Sequence, residues 1–213
     1  MNYFITGATG FIGSQLCLKL ANDGHIIHAL VRTPTRTEYI AHPNIRIFYG
    51  NIFDRKILEE AIRGVDGIFH LTAYAKPWAK DPSVYNKINV EGTRLIYELA
   101  IKHSIPKVVF TSTAGTYGPS ANTPVDEHSL RMVDFFNEYE STKFMAEKLT
   151  KDYVLKGQNI VIVHPTRVYG PGLLSKSNSV TIMIKNYIRG IWRIIPGSGE
   201  KTGNYAFIED VVR

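Results

Sequence analysis

Short apolar runs rich in β-branched residues alternate along this chain with longer stretches whose apolar residues recur at helical spacing. The runs predict strands at Tyr3–Thr6, Ile26–Val31, Ile45–Tyr49, Gly67–Leu71, Lys107–Ser112 and Asn159–His164. None alternates cleanly between polar and apolar, the pattern of strands covered on both faces. The longer stretches predict helices over Phe11–Asp23, Arg55–Arg63, Ser83–His103 and Tyr139–Lys156. In the first, Ile12, Leu16 and Leu20 stand four apart and predict one buried stripe. Asp54 and the Pro82-Ser83 step sit where helices start. This order predicts an α/β fold, a doubly wound parallel sheet.

From Gly170 to Gly203 the pattern changes. Pro171, Gly172, Pro196, Gly197, Gly199 and Gly203 interrupt it, and Ser175-Lys176-Ser177-Asn178-Ser179 reads as an exposed loop. Composition narrows the picture further. With 44% hydrophobic residues the chain can bury a sizeable core, which excludes disorder. No apolar run approaches the roughly 18 residues of a membrane-spanning helix. The start, Met1-Asn2-Tyr3-Phe4-Ile5-Thr6, carries no secretory pattern, and a single cysteine, Cys17, allows no intrachain disulfide and no CxxC metal site. A cytoplasmic protein without metal, membrane or nucleic-acid partner is expected. The net charge of +6 is spread singly or in pairs, not as a nucleic-acid-binding run.

The strongest local signal is Thr6-Gly7-Ala8-Thr9-Gly10-Phe11-Ile12-Gly13, between the first strand and the first helix. Its GxxGxxG spacing is one residue longer than GxGxxG. Gly7 permits a tight turn, Gly10 a close approach to a pyrophosphate, and Gly13 close packing of helix on strand. The N–H groups opening the helix then face the phosphates. About 20 residues on, a carboxylate would bond the ribose of NAD. The second strand ends instead in Val31-Arg32-Thr33, where Arg32, with Arg36 nearby, suits a 2′-phosphate. NADP is expected, with NAD less favoured.

Further motifs follow in order. They are Gly50-Asn51-Ile52-Phe53-Asp54, His70-Leu71-Thr72-Ala73, Asn89-Val90-Glu91-Gly92-Thr93, Phe110-Thr111-Ser112-Thr113-Ala114, Tyr139-Glu140-Ser141-Thr142-Lys143 and His164 to Gly172. Together with the glycine loop they resemble the extended short-chain dehydrogenase/reductase superfamily, the NAD-dependent epimerase/dehydratase family, and most closely its dihydroflavonol-reductase-like subgroup. The resemblance implies a Rossmann domain over 1–169. From 170 to 213 it implies the start of a substrate-binding part, incomplete at the C-terminus, and a chain that binds cofactor but turns over poorly. It implies a homodimer through the two long helices. It assigns cofactor contacts to Gly7, Thr9, Gly10, Phe11, Ile12, Gly13, Arg32, Asn51, Ile52, Leu71, Thr72, Ala73, Lys143, Pro165 and Val168. It assigns Thr113, Tyr139, Lys143 and Asn89 to catalysis. Asn51 stands where the family usually has Asp, Thr72 replaces a common Ala, and His164 a frequent Arg.

The residues support a matching chemistry. Tyr139 and Lys143 lie four apart on one helix face. A phenol titrates near pH 10, and a neighbouring ammonium, with the positive nicotinamide of an oxidised cofactor, is expected to lower that value. Tyr139 can then exchange a proton with a substrate oxygen as hydride moves at carbon, while Thr113 orients the oxygen. Ser112, one residue earlier, is expected to face the other way. Asn89 reads either as part of the proton path or as polar packing inside a helix. Thr113 is followed by Ala114-Gly115, without the Asp-Glu of family dehydratases, so dehydration is disfavoured. Three readings stay open: an NADP-dependent ketone or aldehyde reductase, a nucleotide-sugar epimerase, and a non-catalytic NADP-binding protein.

Overall fold

The computed structural model describes residues 1–120, 124–173, 178–194, 198–199 and 202–213. Six parallel strands form the central sheet: β1 (Asn2–Thr6), β2 (Ile26–Val31), β3 (Ile45–Tyr49), β4 (Gly67–His70), β5 (Val108–Thr111) and β6 (Ile160–Val163). Their order is β3-β2-β1-β4-β5-β6, so the winding reverses between β1 and β4. At such a reversal, outside the carboxyl ends of the strands, open α/β sheets bind their ligands. Alternation within each strand divides the core. Phe4 and Leu30 face α2 (Arg55–Ile62), α4 (Gly92–Lys102) and α5 (Glu138–Leu155), whereas Ile5 and Val31 face α1 (Phe11–Asn22) and the 3-10 turn Pro34–Ile40. The expected doubly wound parallel sheet is therefore present.

The expected stripe on α1 is displaced. Ile12, Leu16 and Leu20 are only half-buried, and Phe11, Gly13, Ser14, Cys17 and Ala21 form the buried face. The cause is proximity. A Cβ at Gly13 would stand 2.1 Å from the carbonyl oxygen of Gly7, so the innermost face takes mainly small residues and the larger aliphatics pack at its flanks. Cys17 is fully buried there, and burial pushes its thiol pKa far up.

The helix expected over Ser83–His103 is three pieces: α3 (Ser83–Asn86), a π-helical turn Lys87–Glu91, and α4. Asp81 bonds both the N–H and the hydroxyl of Ser83 at its start. Asp54 caps α2 through the Ile57 N–H at 3.4 Å. In the stretch after Gly170, Ser179, the last residue of the expected loop, is exposed but already opens α6 (Ser179–Ile188). That helix buries none of its residues, with Ile184, Tyr187 and Ile188 exposed, so no one-sided stripe announces it. Asn178 is buried rather than exposed, while Ser175, Lys176, Ser177, Pro196 and Gly197 lie outside the described residues.

A second, two-stranded parallel sheet joins β7 (Arg167–Tyr169) to β8 (Tyr205–Phe207), which leads into α7 (Ile208–Val212). This unit closes against α1. Gly170, at φ +139°, leaves room for Ile208, and Gly172, at φ +124°, for Gln15 and Phe11. Among the described residues no helix is long and apolar enough to cross a membrane.

The α1–β1 contact generates the first prediction. Gly13→Ala drives a carbon into backbone that has no rotamer with which to yield, and should cost at least about 2 kcal/mol in urea denaturation. An unchanged midpoint would mean that α1 sits farther from the sheet than described.

Candidate active site

The glycine loop folds as a tight turn. Gly7 adopts φ +70°, and its carbonyl accepts the Gly10 N–H at 2.8 Å. A Cβ at Gly7 would stand 2.8 Å from the Leu71 carbonyl carbon, so the loop lies pressed against the end of β4. Ser14 N–H to Gly10 O, 2.9 Å, closes the first turn of α1. The N–H groups of Phe11, Ile12 and Gly13 precede that bond and point out of the helix end. No acidic side chain stands in this first turn. Bare donors, the positive end of a helix dipole and no competing carboxylate fit the pyrophosphate of a dinucleotide.

A hydrogen-bond chain ties this loop to α5. Thr72 N–H donates to Thr6 Oγ1 at 3.2 Å, and Thr6 Oγ1 lies 2.7 Å from His70 Nδ1. His70 Nε2 lies 2.9 Å from Thr93 Oγ1, whose own proton goes to the Asn89 carbonyl at 2.7 Å. Thr93 must therefore accept from Nε2–H, which leaves Nδ1 to accept from Thr6. His70 is neutral in one tautomer. Burial, with Lys143 a smaller contributor, holds its pKa down at about 3.

Asn89, fully buried in the π turn, continues the chain. Its amide accepts from Tyr74 N–H (2.7 Å) and donates to Tyr74 O (3.3 Å) and to Thr142 Oγ1 (3.0 Å). Thr142 donates in turn to the carbonyls of Glu138 (2.7 Å) and Tyr139 (3.2 Å). The polar-packing alternative for Asn89 thus has direct geometry: its side chain joins the loop after β4 to the first turns of α5.

Helix α5 starts at a cap. Asn137 Oδ1 accepts the Glu140 N–H at 2.9 Å, and Glu138 and Glu140 favour the positive helix end. Tyr139 falls in the first turn, partly buried, and no hydrogen bond of its hydroxyl occurs among the described residues. Lys143 is 1% exposed, its ammonium donating to Thr111 O at 2.7 Å and lying 4.2 Å from the centre of the Phe110 ring. Burial brings the Lys143 pKa down to about 7, against an opposing pull from Glu147. The expected lowering of the Tyr139 pKa invokes the nicotinamide charge as well as the ammonium, and in the protein alone the balance runs the other way. Burial, helped by Glu140, raises that pKa to about 12. One of the three N–H groups of the Lys143 ammonium goes to Thr111 O, and the charge of Lys143 is disfavoured by the same burial.

Thr113 caps the 3-10 turn Ala114–Tyr117, accepting the Gly115 N–H at 3.2 Å; its own proton remains to be donated. Ser112 faces the other way, buried and bonded to Glu147, as strand alternation requires. Pro165 reaches the same corner through backbone, its carbonyl accepting Ala114 N–H at 3.0 Å. Thr166 Oγ1 beside it is buried without a hydrogen-bond partner. Val168 sits half-buried in β7.

At the other end of the crevice Arg32 and Arg36 are exposed, and neither has an ion-pair partner among the described residues. Gly50 N–H bonds Val31 O at 3.1 Å, which sets the Gly50-Asn51 corner beside Arg32. Asn51 Oδ1 accepts the Phe53 N–H at 2.8 Å, within its own turn. Ile52 is buried against Gly92.

The sequence reading missed two carboxylates. Glu140 pairs with Arg131 at 2.9 Å, both largely buried, while Arg131 also donates to the carbonyls of Gly115 (2.5 Å), Val133 and Asp134 and lies against Phe135. This clamp fixes the segment before α5 to the turn after Thr113. Gly115 has the bare surface that Glu140 needs, because a Cβ there would stand 3.3 Å from Glu140 Cγ. Glu147, one turn beyond Lys143, bonds Ser112 and lies 3.2 Å from His164. Its signal was available: four residues after Lys143 it shares that buried face, next to Ala146 and Leu149.

The profile described as the NAD dependent epimerase/dehydratase family matches residues 3–213. A putative dihydroflavonol 4-reductase of Synechocystis is 32% identical over 171 residues, 79% of this chain and 50% of that protein. Dihydroflavonol 4-reductase of Gerbera hybrida is 31% identical over 231 residues, 97% of this chain and 62% of that protein. The chain thus spans about half to three fifths of the length of these relatives. The solved UDP-glucuronic acid 4-epimerase of Bacillus cereus in complex with NAD superposes with a TM-score of 0.87 at 26% identity, covering 100% of this chain and 70% of its own. With the family profile spanning the glycine loop, the Tyr139–Lys143 pair and β8, this chain belongs to the NAD-dependent epimerase/dehydratase family of extended short-chain dehydrogenases/reductases.

Proposed function

We propose that this chain carries the nucleotide-binding and proton-transfer machinery of an NADP-dependent reductase of ketones or aldehydes. The observation that carries the reading is the end of β2, where Arg32 stands free of any ion-pair partner among the described residues and no carboxylate occupies the NAD-type position. A guanidinium there recognises a 2′-phosphate by charge-assisted hydrogen bonds. Gly7, Gly10 and the N–H groups opening α1 hold the pyrophosphate, and the backbone of Leu71, Thr72 and Ala73 lines the same wall. When bound, the nicotinamide supplies the hydride.

The remaining work falls to the protein. Thr113 donates its free proton to the substrate oxygen and orients it. Tyr139 gives that oxygen a proton; a phenol held near pKa 12 is fully protonated at neutral pH, the form a reduction needs. Lys143 contacts the nicotinamide ribose and, when charged, favours the phenolate that Tyr139 leaves behind. Asn89 holds Tyr74 and Thr142, which sets the first turn of α5 against the crevice.

A second reading, nucleotide-sugar epimerisation, is supported by the likeness to the NAD-bound Bacillus cereus 4-epimerase. It uses the same Tyr139 and Thr113 but requires hydride to leave and return on one sugar carbon. The two readings separate by product: net consumption of NADPH with a carbonyl compound, or interconversion of UDP-sugars with none.

Tyr139→Phe should reduce NADPH-dependent carbonyl reduction by at least about 100-fold and leave NADP affinity within about twofold, measured by calorimetric titration. Retained reduction would remove Tyr139 from the chemistry.

The buried His70 sets a pH expectation. Its folded pKa of about 3 lies below its unfolded value near 6.5, so the unfolded chain binds the extra proton. This contribution is complete above pH 6.5 and is lost as pH falls towards 3. Between pH 7 and 5 it amounts to about 2 kcal/mol. His70→Leu should narrow the pH 7 to pH 5 stability difference by that amount; an unchanged difference would show that His70 accepts its proton in the fold.

A further inference from the structure

Glu147 lies on α5 one turn beyond Lys143, and its side chain is 7% exposed. Its Oε1 accepts from the Ser112 hydroxyl and lies 3.2 Å from His164 Nε2, which is also 3.1 Å from the Tyr117 hydroxyl. One carboxylate therefore joins α5 to the residues that follow β5 and β6 and, through His164, to the 3-10 turn capped by Thr113. Lys143 grips the residue before Ser112, through Thr111 O at 2.7 Å. Two side chains one helical turn apart thus hold two successive residues of the strand that delivers Thr113. Neither needs the other's place, since the strand alternates: a carbonyl at 111 meets the ammonium and a hydroxyl at 112 meets the carboxylate.

The charges point the same way. The groups facing Lys143 are the Thr111 carbonyl and the Phe110 ring on β5, His70 on β4, and Glu147 on its own helix. His70 is neutral by its hydrogen bonds, so Glu147 is the anion that acts on Lys143. Glu147 in turn faces Ser112, His164, Tyr117 and Lys143. A buried carboxylate with no charge partner would be expelled or protonated. Here a buried amine lies one helical turn away on the same helix and feels its charge, while His164 stands 3.2 Å off.

We propose that Glu147, held in place by its ties to Ser112 and His164, is a positioning residue for the Tyr139–Lys143 pair whose charge keeps Lys143 an ammonium inside the fold. The inference rests on the reading that Lys143 acts as a cation beside the nucleotide.

Glu147→Gln separates charge from scaffold, because the amide oxygen still accepts from Ser112. The readout is the Lys143 side-chain nitrogen in the 15N-labelled full chain, identified by its loss in Lys143→Met and titrated by NMR without nucleotide. The titration midpoint should fall by about one pH unit in Glu147→Gln, a tenfold change in the ammonium-to-amine ratio. It should stay within about 0.2 units in Ser112→Ala, which removes the tie and keeps the charge. A folded Glu147→Gln with an unmoved midpoint overturns the proposal and leaves Glu147 a structural tie.

If Glu147→Gln does not fold, Lys143→Met reads the same coupling from the other side. The 13C-labelled carboxyl of Glu147 must then titrate about one unit higher than in the wild type. An unmoved carboxyl overturns the proposal equally. NADP titration of Lys143→Met tests the preceding reading separately: undiminished affinity removes Lys143 from the nucleotide site, whatever the coupling to Glu147.

Discussion

The buried, neutral imidazole of His70 is the interaction on which the top of this sheet depends. It has no room to be charged, and its two nitrogens are committed, one accepting from Thr6 and the other donating to Thr93. Thr6 is the last residue of β1 and Thr93 lies in the first turn of α4. One ring therefore sets the strand that launches the glycine loop against the helix that directly follows the π turn of Asn89. From Asn89 the order passes to Thr142 and to the carbonyl of Tyr139. The phosphate end and the proton-transfer end of the crevice are spaced by one chain of hydrogen bonds, each donor facing an acceptor.

Around that chain the site is built by placing polar groups where the core pushes them. Burial moves Tyr139 up and Lys143 down, the opposite of what an exposed tyrosine–lysine pair would do to each other. The effect suits reduction. A phenol that is protonated and an amine poised near neutrality leave the final balance to a negative charge close by and to the positive charge of an oxidised nicotinamide. Glu147 supplies the first, from the same helix face. The Arg131–Glu140 pair does a different task, holding the segment before α5 onto Gly115 and so fixing the gap between Thr113 and Tyr139.

Much of this was legible in the sequence, because the strand runs and the glycine loop depend on local patterning. The six strands fall within a residue or so of their expected bounds, and Asp54 caps α2 as its position implies. What escaped depended on distant backbone. The buried stripe of α1 shifted because Gly7 and Gly13 let the helix approach closer than aliphatic side chains permit. The π turn at Lys87–Glu91 exists where Asn89 meets partners 15 and 53 residues away. Helix α6 has no buried face to reveal it. The expected depression of the tyrosine pKa invoked an ammonium together with an oxidised nicotinamide, and in the protein alone burial of Tyr139 prevails.

The most direct measurement is calorimetric titration of the chain and of Arg32→Ala with NADP and with NAD. The account predicts that NADP binds at least about tenfold more tightly than NAD, a preference carried by charge-assisted bonds to the 2′-phosphate. Arg32→Ala should erase that preference while leaving NAD affinity unchanged. Tighter binding of NAD, or a preference indifferent to Arg32, would contradict it and move the assignment to nucleotide-sugar epimerisation.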